Sequence, residues 1–359
     1  PRVLMAGPAR DVRGGVSALV NVWYSLGIDR MVQLTYLPTM RDGSALTKLL
    51  VFAGAWLRFG PLMRRHDILH VHLSPRASFA RKAMLVKRAH RMGKRIIIHQ
   101  HGGSFGDFYY KEAGDRKRRY IRKIFAMADR VIVLSGEWRD FFADGICDPA
   151  KITVLYNGVP IPESIPTERH DHNILYLGQL TKMKGIYDLL DAISEVLASV
   201  PDAQFFLCGD NGVEQCLQRV REAGIEEHVH LPGWIDEKKR EELFSSCSVF
   251  VLPSYIEGMP MSLLEAMSRG LACVATSVGG IPEIIESGTN GILIEPGNAG
   301  VLAQALIRLL TDEEERGRIG AEGADTIRKR FDARDSLKKI LELYAACTSK
   351  ISIHLSRQI

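Results

Sequence analysis

Short, almost uninterrupted apolar runs alternate with helical patterns along nearly the whole chain, and this alternation limits the folds open to it. The runs "RVLMAG", "QLTYLP", "ILHVHL", "RIIIHQHG", "RVIVLS" and "ITVLYNG" come first, with helical stretches such as Val16–Leu26 and Ala77–Met92 between them. After Pro166 the rhythm restarts with "NILYLGQL", "AQFFLCGD", "HVHLPG", "SVFVLPS", "ACVAT" and "GILIEP". Its helices include Gly185–Leu197, Glu237–Cys247 and Met261–Ser268. A strand that is apolar on both faces must be covered on both faces, which is the condition of a parallel sheet with crossover helices. Two such series predict two doubly wound α/β domains, with ligands at the carboxyl ends of their strands. The polar, proline-containing "NGVPIPESIPTERHDHN" reads as the linker. The expected divisions are 1–163, 164–335 and a helix with a polar tail over 336–359 that crosses back to the first domain.

Charge is divided unevenly between the two series. Residues 1–165 carry 27 Lys+Arg against 13 Asp+Glu, and residues 166–359 carry 20 against 29, so +14 and −9 combine to the net +5. A basic half joined to an acidic one points to an anionic surface or ligand for the first half. Nucleic acid is not expected as a partner, because no recognition motif or aromatic platform accompanies the basic residues. The apolar stretch Leu49–Leu57 reads as too short to span a bilayer. No secretory leader is expected, since the sequence opens directly on a strand-like run, and the six cysteines are scattered with no C-x-x-C pair. Reduced core thiols in a cytoplasmic protein are therefore expected.

The stretch most suggestive of chemistry is "SYIEGMPMSLLEAMSRG", Ser254–Gly270. "SVFVLPS" is a strand, "YIEGMP" the loop at its carboxyl end, and "MSLLEAMSRG" a helix ending at Gly270. The amides around Gly258, Met259, Pro260, Met261, Ser262 and Leu263 then form a helix N-terminus suited to phosphate or sugar oxygens (Pro260 contributing no N–H). Glu257 stands where an acid can accept hydrogen bonds from sugar hydroxyls. Glu265 follows two helical turns later, about 12 Å along the axis. That spacing matches the two ends of a nucleotide-sugar.

"EGMPMSLLEAMSRGLACVATSVGGIPEII" resembles the signature region of glycosyltransferase family 4, a group of retaining sugar transferases with the GT-B fold. "NGILIEPGN", "LYLGQLTKMKGIYDLLDAI", "FLCGDNG" and "VLYNGVPIP" extend the resemblance over the second half and, more loosely, the first. It implies two Rossmann-like domains facing a central cleft. It also implies that Glu257 contacts the donor sugar, Glu265 the ribose, and Lys184 the diphosphate leaving group. His101, before Gly102, matches a position near the donor sugar, with His99 as its structural neighbour. Gly14 and Gly15 match a loop beside the donor phosphates. Their spacing with Gly7 is not G-x-G-x-x-G. Gly209 in "FLCGDNG", and Gly233 with Trp234 in "LPGWID", belong to the expected donor and nucleobase surroundings. His70 and His72 also end a strand, where packing or a loop hydrogen bond accounts for them.

One departure stands out: the family's usual Arg after the glycine is Gln179 here. A neutral amide cannot clamp a diphosphate as Arg does, so Lys184, Lys182 or another base carries more of the charge. No D-x-D occurs, so a metal-independent transfer is expected, with no metal ligands and no cofactor beyond the nucleotide-sugar donor. A UDP-sugar is favoured slightly over a GDP-sugar. The expected reaction is retaining transfer of a hexosyl group to an acceptor hydroxyl, the departing phosphate serving as base. Domain closure would exclude water from it. The rival readings are a nucleotide-sugar epimerase of the same architecture and a non-catalytic sugar-nucleotide sensor, the latter suggested by Gln179.

The basic excess clusters in "RKAMLVKRAHRMGKR" (Arg81–Arg95) and "DRKRRYIRK" (Asp115–Lys123). With the apolar "LLVFAGAW" nearby, these predict reversible docking of the first domain on the inner, anionic face of the cell membrane. A lipid-linked glycan acceptor in surface-polysaccharide synthesis would be met there.

Overall fold

The computed structural model describes residues 1–166 and 169–355, with side chains through residue 348. Thr167 and Glu168 of the expected linker, and residues 356–359 of the expected tail, lie outside the described residues. The chain divides into two compact units: Pro1–Gly158 together with the segment from Ala333, and Val159–Asp332.

The first unit holds strands β1 (Arg2–Gly7), β2 (Gln33–Pro38), β3 (Ile68–Leu73), β4 (Arg95–Gln100), β5 (Arg130–Val133) and β6 (Ile152–Val154). They form one sheet in the order β2-β1-β3-β4-β5-β6, every pair parallel. All six residues of β3 are buried, as a strand covered on both faces requires. The second unit holds β7 (His170–Leu177), β8 (Gln204–Cys208), β9 (Val229–Gly233), β10 (Cys247–Leu252), β11 (Ala272–Thr276) and β12 (Ile292–Ile294). Their order is β12-β11-β10-β7-β8-β9, again parallel. Each sheet reverses its order once, between β1 and β3 and between β7 and β10. Such a reversal is where doubly wound sheets bind ligands, because the loops leaving the two neighbouring strands run to opposite faces.

The crossover helices follow from apolar spacing. Helix Ile186–Ser199 buries Ile186, Leu189, Leu190, Ile193 and Val196 along one stripe. Helix Ala45–Arg64 corrects the reading of Leu49–Leu57 as a short apolar stretch. It runs for 20 residues from a Ser44 cap whose hydroxyl accepts the Thr47 N–H, long and apolar enough to cross a membrane by length and composition. Phe52, Ala55, Phe59 and Met63 on one side are buried in the unit's core. Leu46, Leu49, Leu50 and Leu57 are exposed at 62–75%.

Two boundaries differ from the sequence reading. Strand β7 begins at His170, inside the stretch assigned to the linker, because His170 pairs with Cys247 of β10. Val159 belongs to the second unit: it is fully buried, and its N–H donates to the Phe331 carbonyl at 2.9 Å. Helix Ala333–Leu355 then returns to the first unit. There Trp23 Nε1 donates to Ser336 Oγ at 3.1 Å, and His70 Nδ1 lies 2.6 Å from the Tyr344 hydroxyl. All six cysteines are buried thiols, and burial raises five of them above the ordinary thiol value.

Candidate active site

The carboxyl ends of β7, β8, β9, β10 and β11 meet through glycines, backbone to backbone. A Cβ on Gly209 would stand 1.7 Å from the Gly178 carbonyl oxygen, and one on Gly212 2.0 Å from that of Leu180. A Cβ on Gly185 would stand 1.8 Å from the Pro253 oxygen, and one on Gly279 2.1 Å from that of Glu257. No side chain fits such gaps, and Gly185 and Gly279 also hold φ of +68° and +55°. The Gly209 N–H donates to Gly233 at 2.9 Å, and the Gly280 N–H to Gly258 at 2.8 Å. The strand-end loops are thereby fixed to one another.

Across the reversal between β7 and β10, Lys184 and Glu257 meet. Lys184 closes a 3₁₀ turn after β7, and Glu257 lies in the loop after β10. Lys184 Nζ is 2.6 Å from Glu257 Oε1, and the Ser254 hydroxyl donates to the same oxygen at 2.7 Å. Glu257 is 8% exposed, while the Lys184 side chain keeps 28% of its surface. Sequence reasoning named both residues but gave them separate tasks. It missed Ser254, Gly279 and Gly280, although the Ser lies in the quoted motif and the glycines just downstream.

Helix Met261–Ser268 begins at Pro260 with no side-chain cap, so the Met261, Ser262 and Leu263 amides are unclaimed by the helix itself. Met259, Met261 and Leu263 are buried and Ser262 is half-buried, fixing the first turn. Glu265 is 8% exposed and stands 3.5 Å from Arg240, while Arg269 holds the Glu265 carbonyl at 3.1 Å. Burial raises the Glu265 pKa, and Arg240 and Arg269 oppose it. Gln179 is exposed, and its carbonyl accepts the Tyr176 hydroxyl at 2.7 Å. Trp234 is half exposed beside Gly233.

In the first unit, Gly14 is exposed with φ +145° and starts helix Gly15–Ser25, its carbonyl accepting the Ala18 N–H at 3.0 Å. His101 follows β4, half-buried, with Nε2 2.8 Å from His72 Nδ1. Burial and then the Lys82 charge hold its pKa below the ordinary histidine value. His70, His72 and His99 lie on the same sheet face. The alternation of the two H-x-H pairs carried that signal, but only the parallel register sets the pairs side by side.

The family model of glycosyl transferases group 1 matches residues 161–326, and that of Glycosyltransferase Family 4 matches residues 24–162. The N-acetyl-alpha-D-glucosaminyl L-malate synthase of Bacillus anthracis is 32% identical over 294 residues, 77% of this chain and 74% of that one. The UDP-Gal:alpha-D-GlcNAc-diphosphoundecaprenol alpha-1,3-galactosyltransferase of Escherichia coli is 24% identical, over 88% of this chain and 84% of its own. Anabaena HepE, solved with UDP, superposes with a TM-score of 0.74 at 19% identity, covering 96% of this chain and all of the other. With two parallel doubly wound sheets and both family models matched in succession, the chain belongs to glycosyltransferase family 4 and has the GT-B fold.

Proposed function

We propose that this glycosyltransferase moves a hexosyl group from a UDP-sugar to a hydroxyl of a lipid-linked glycan, with retention at the anomeric carbon. The observation that carries the reading is the Lys184–Glu257 pair, set across the strand-order reversal beside a helix N-terminus. Glu257 keeps one carboxylate oxygen for sugar hydroxyls. Lys184, released from Glu257, meets the diphosphate as charge develops on it, and the Met261–Leu263 amides add fixed dipoles. Glu265 takes the ribose. With Gln179 in place of Arg, Lys184 carries most of the leaving-group charge, and the transfer step draws on no metal. The departing phosphate takes the proton of the attacking hydroxyl. UDP is favoured because the Escherichia coli relative's name specifies UDP-Gal and HepE was solved with UDP. The diphosphoundecaprenol in the same relative's name supports a lipid-linked glycan acceptor.

Peripheral work at the inner membrane face is part of this reading. It is supported by the exposed leucines of helix Ala45–Arg64 beside Arg58, Arg64 and Arg65, and by the basic helices Ala77–Arg91 and Asp115–Ala126. The test is a thermal-shift screen of UDP, GDP and ADP, followed by transfer from the matching sugar nucleotides to polyprenyl-diphosphate-linked glycans. UDP should raise Tm, and labelled sugar should pass to the lipid fraction. No shift with any of the three nucleotides would overturn the donor assignment. Binding without transfer or slow donor hydrolysis would favour a sensor.

A further inference from the structure

Strands β3 and β4 run parallel with His72 opposite His99. Side chains two residues apart share a face, so His70 and His72 on β3 and His99 and His101 on β4 point to one side of the sheet. The ring centroids of His70, His72 and His99 lie 4.6, 5.3 and 5.5 Å apart pairwise. One ring nitrogen from each lies within 4.8 Å of the others. The three residues are 0%, 2% and 0% exposed, under Trp23, whose ring lies 6.0–6.2 Å from all three. The other β3 positions, Ile68, Leu69, Val71 and Leu73, are aliphatic, so packing alone gives no reason for imidazoles here.

Their hydrogen bonds do not close. A neutral imidazole carries one N–H and one lone pair, and buried polar atoms of native proteins are ordinarily paired. His70 Nδ1 meets the Tyr344 hydroxyl at 2.6 Å and His72 Nδ1 meets His101 Nε2 at 2.8 Å. Among the described residues, Nε2 of His70, Nε2 of His72 and both nitrogens of His99 have no partner. If the two Nδ1 atoms carry the protons, both orphan Nε2 atoms present lone pairs. A hydrogen bond from the far nitrogen is also how a metal-ligating histidine is oriented.

We infer that His70, His72 and His99 bind one divalent transition-metal ion of the zinc class. A ligand set of three imidazoles suits Zn²⁺, Ni²⁺ or Cu²⁺ rather than the oxygen-seeking Ca²⁺ and Mg²⁺. Metal–nitrogen bonds of about 2.0–2.1 Å put tetrahedral ligands about 3.4 Å apart, so nitrogens within 4.8 Å of one another must draw in by up to about 1.4 Å. The nearby Lys82 ammonium, which donates to the Ser78 hydroxyl at 3.2 Å, opposes a dication and lowers the affinity the imidazoles provide. The ion would tie β3 and β4 to the Tyr344 helix and hold the ring of His101. It is structural, and the inference does not rest on the sugar-transfer reading.

The test uses the full chain without a histidine tag, stripped with chelator and then given Zn²⁺, both in the native state and during refolding. Calorimetry should find one equivalent, with a rise in Tm. Binding should weaken at least tenfold in His70→Gln and in His99→Gln, and stay unchanged in His172→Gln, a surface histidine paired with Asp202. Absence of a stoichiometric ion under both loading conditions would overturn the site, as would full binding by the His70→Gln/His99→Gln double variant. Should those variants fail to fold, X-ray absorption on the zinc-loaded wild type decides. A shell of three or four imidazole nitrogens supports the site, and an oxygen- or sulfur-rich shell refutes it.

Discussion

Replacing Glu257 with Gln removes the charge that holds Lys184 while keeping a group that can still bond Ser254. Two unit charges about 3 Å apart attract by about 5–6 kcal/mol at an effective dielectric near 20. Desolvation takes most of this back from a carboxylate only 8% exposed. A hydrogen bond to a charged group retains about 1.5–3 kcal/mol. At about 2–4 °C per kcal/mol for a unit of this size, Lys184→Ala should lower the Tm of its unit by about 3–12 °C. The ligand measurements separate a structural pair from a catalytic one. In the wild type, diphosphate and Glu257 compete for the Lys184 ammonium. Glu257→Gln should therefore bind UDP as tightly as the wild type or up to about tenfold tighter, whereas Lys184→Ala should bind it about 10–100-fold more weakly. Sugar transfer should fall in both, because sugar contacts count most as the anomeric carbon gains charge. Calorimetric titration with UDP, scanning calorimetry and a transfer assay make the three measurements. The reasoning fails if Lys184→Ala loses stability but keeps its UDP affinity, or if Glu257→Gln binds UDP more weakly than the wild type.

Gln179→Arg should leave UDP affinity equal or higher, since the exposed position can accept a cation; a clear loss by titration would give Gln179 another task. Glu265 has its folded-state pKa raised, chiefly by burial. The native state therefore holds that proton more tightly than the unfolded chain, and wild-type stability falls as pH rises above the ordinary value of 4.5. Glu265→Gln should lack this loss, seen by denaturant unfolding across pH, while binding UDP about 1–3 kcal/mol more weakly through the missing ribose contact. Gly279→Ala should push the Glu257 carbonyl away, lowering Tm and UDP affinity together; wild-type values for both would show that the loop contact is dispensable. Sedimentation with liposomes should show binding that favours anionic vesicles, fades with salt and weakens in Leu49→Ser/Leu50→Ser, with equal or absent binding to anionic and neutral vesicles refuting electrostatic docking.

The sequence by itself determined the two parallel sheets, because strands buried on both faces admit few alternatives to apolar side chains. It likewise placed Glu257 and Lys184 on strand-end loops, since glycine, proline and a restarting helical pattern mark such loops locally. Helix Ala45–Arg64 was less legible: its apolar centre was plain, but its full length depends on Ser44 capping and on the side that Phe52, Phe59 and Met63 bury. What tertiary structure decided was proximity. Nothing in the spacing of residues 184 and 257 says that they touch; that follows from β7 and β10 being neighbours in the sheet. The return of Tyr344 to His70 across 274 residues is equally invisible in the chain. The four histidines looked like two unrelated strand ends, and only the pairing of His72 with His99 gathered them. Local pattern is set by the periodicity of side chains along one element, whereas long-range pairs are set by which elements lie side by side. That choice is made by burial of the whole sheet and is written in no single stretch.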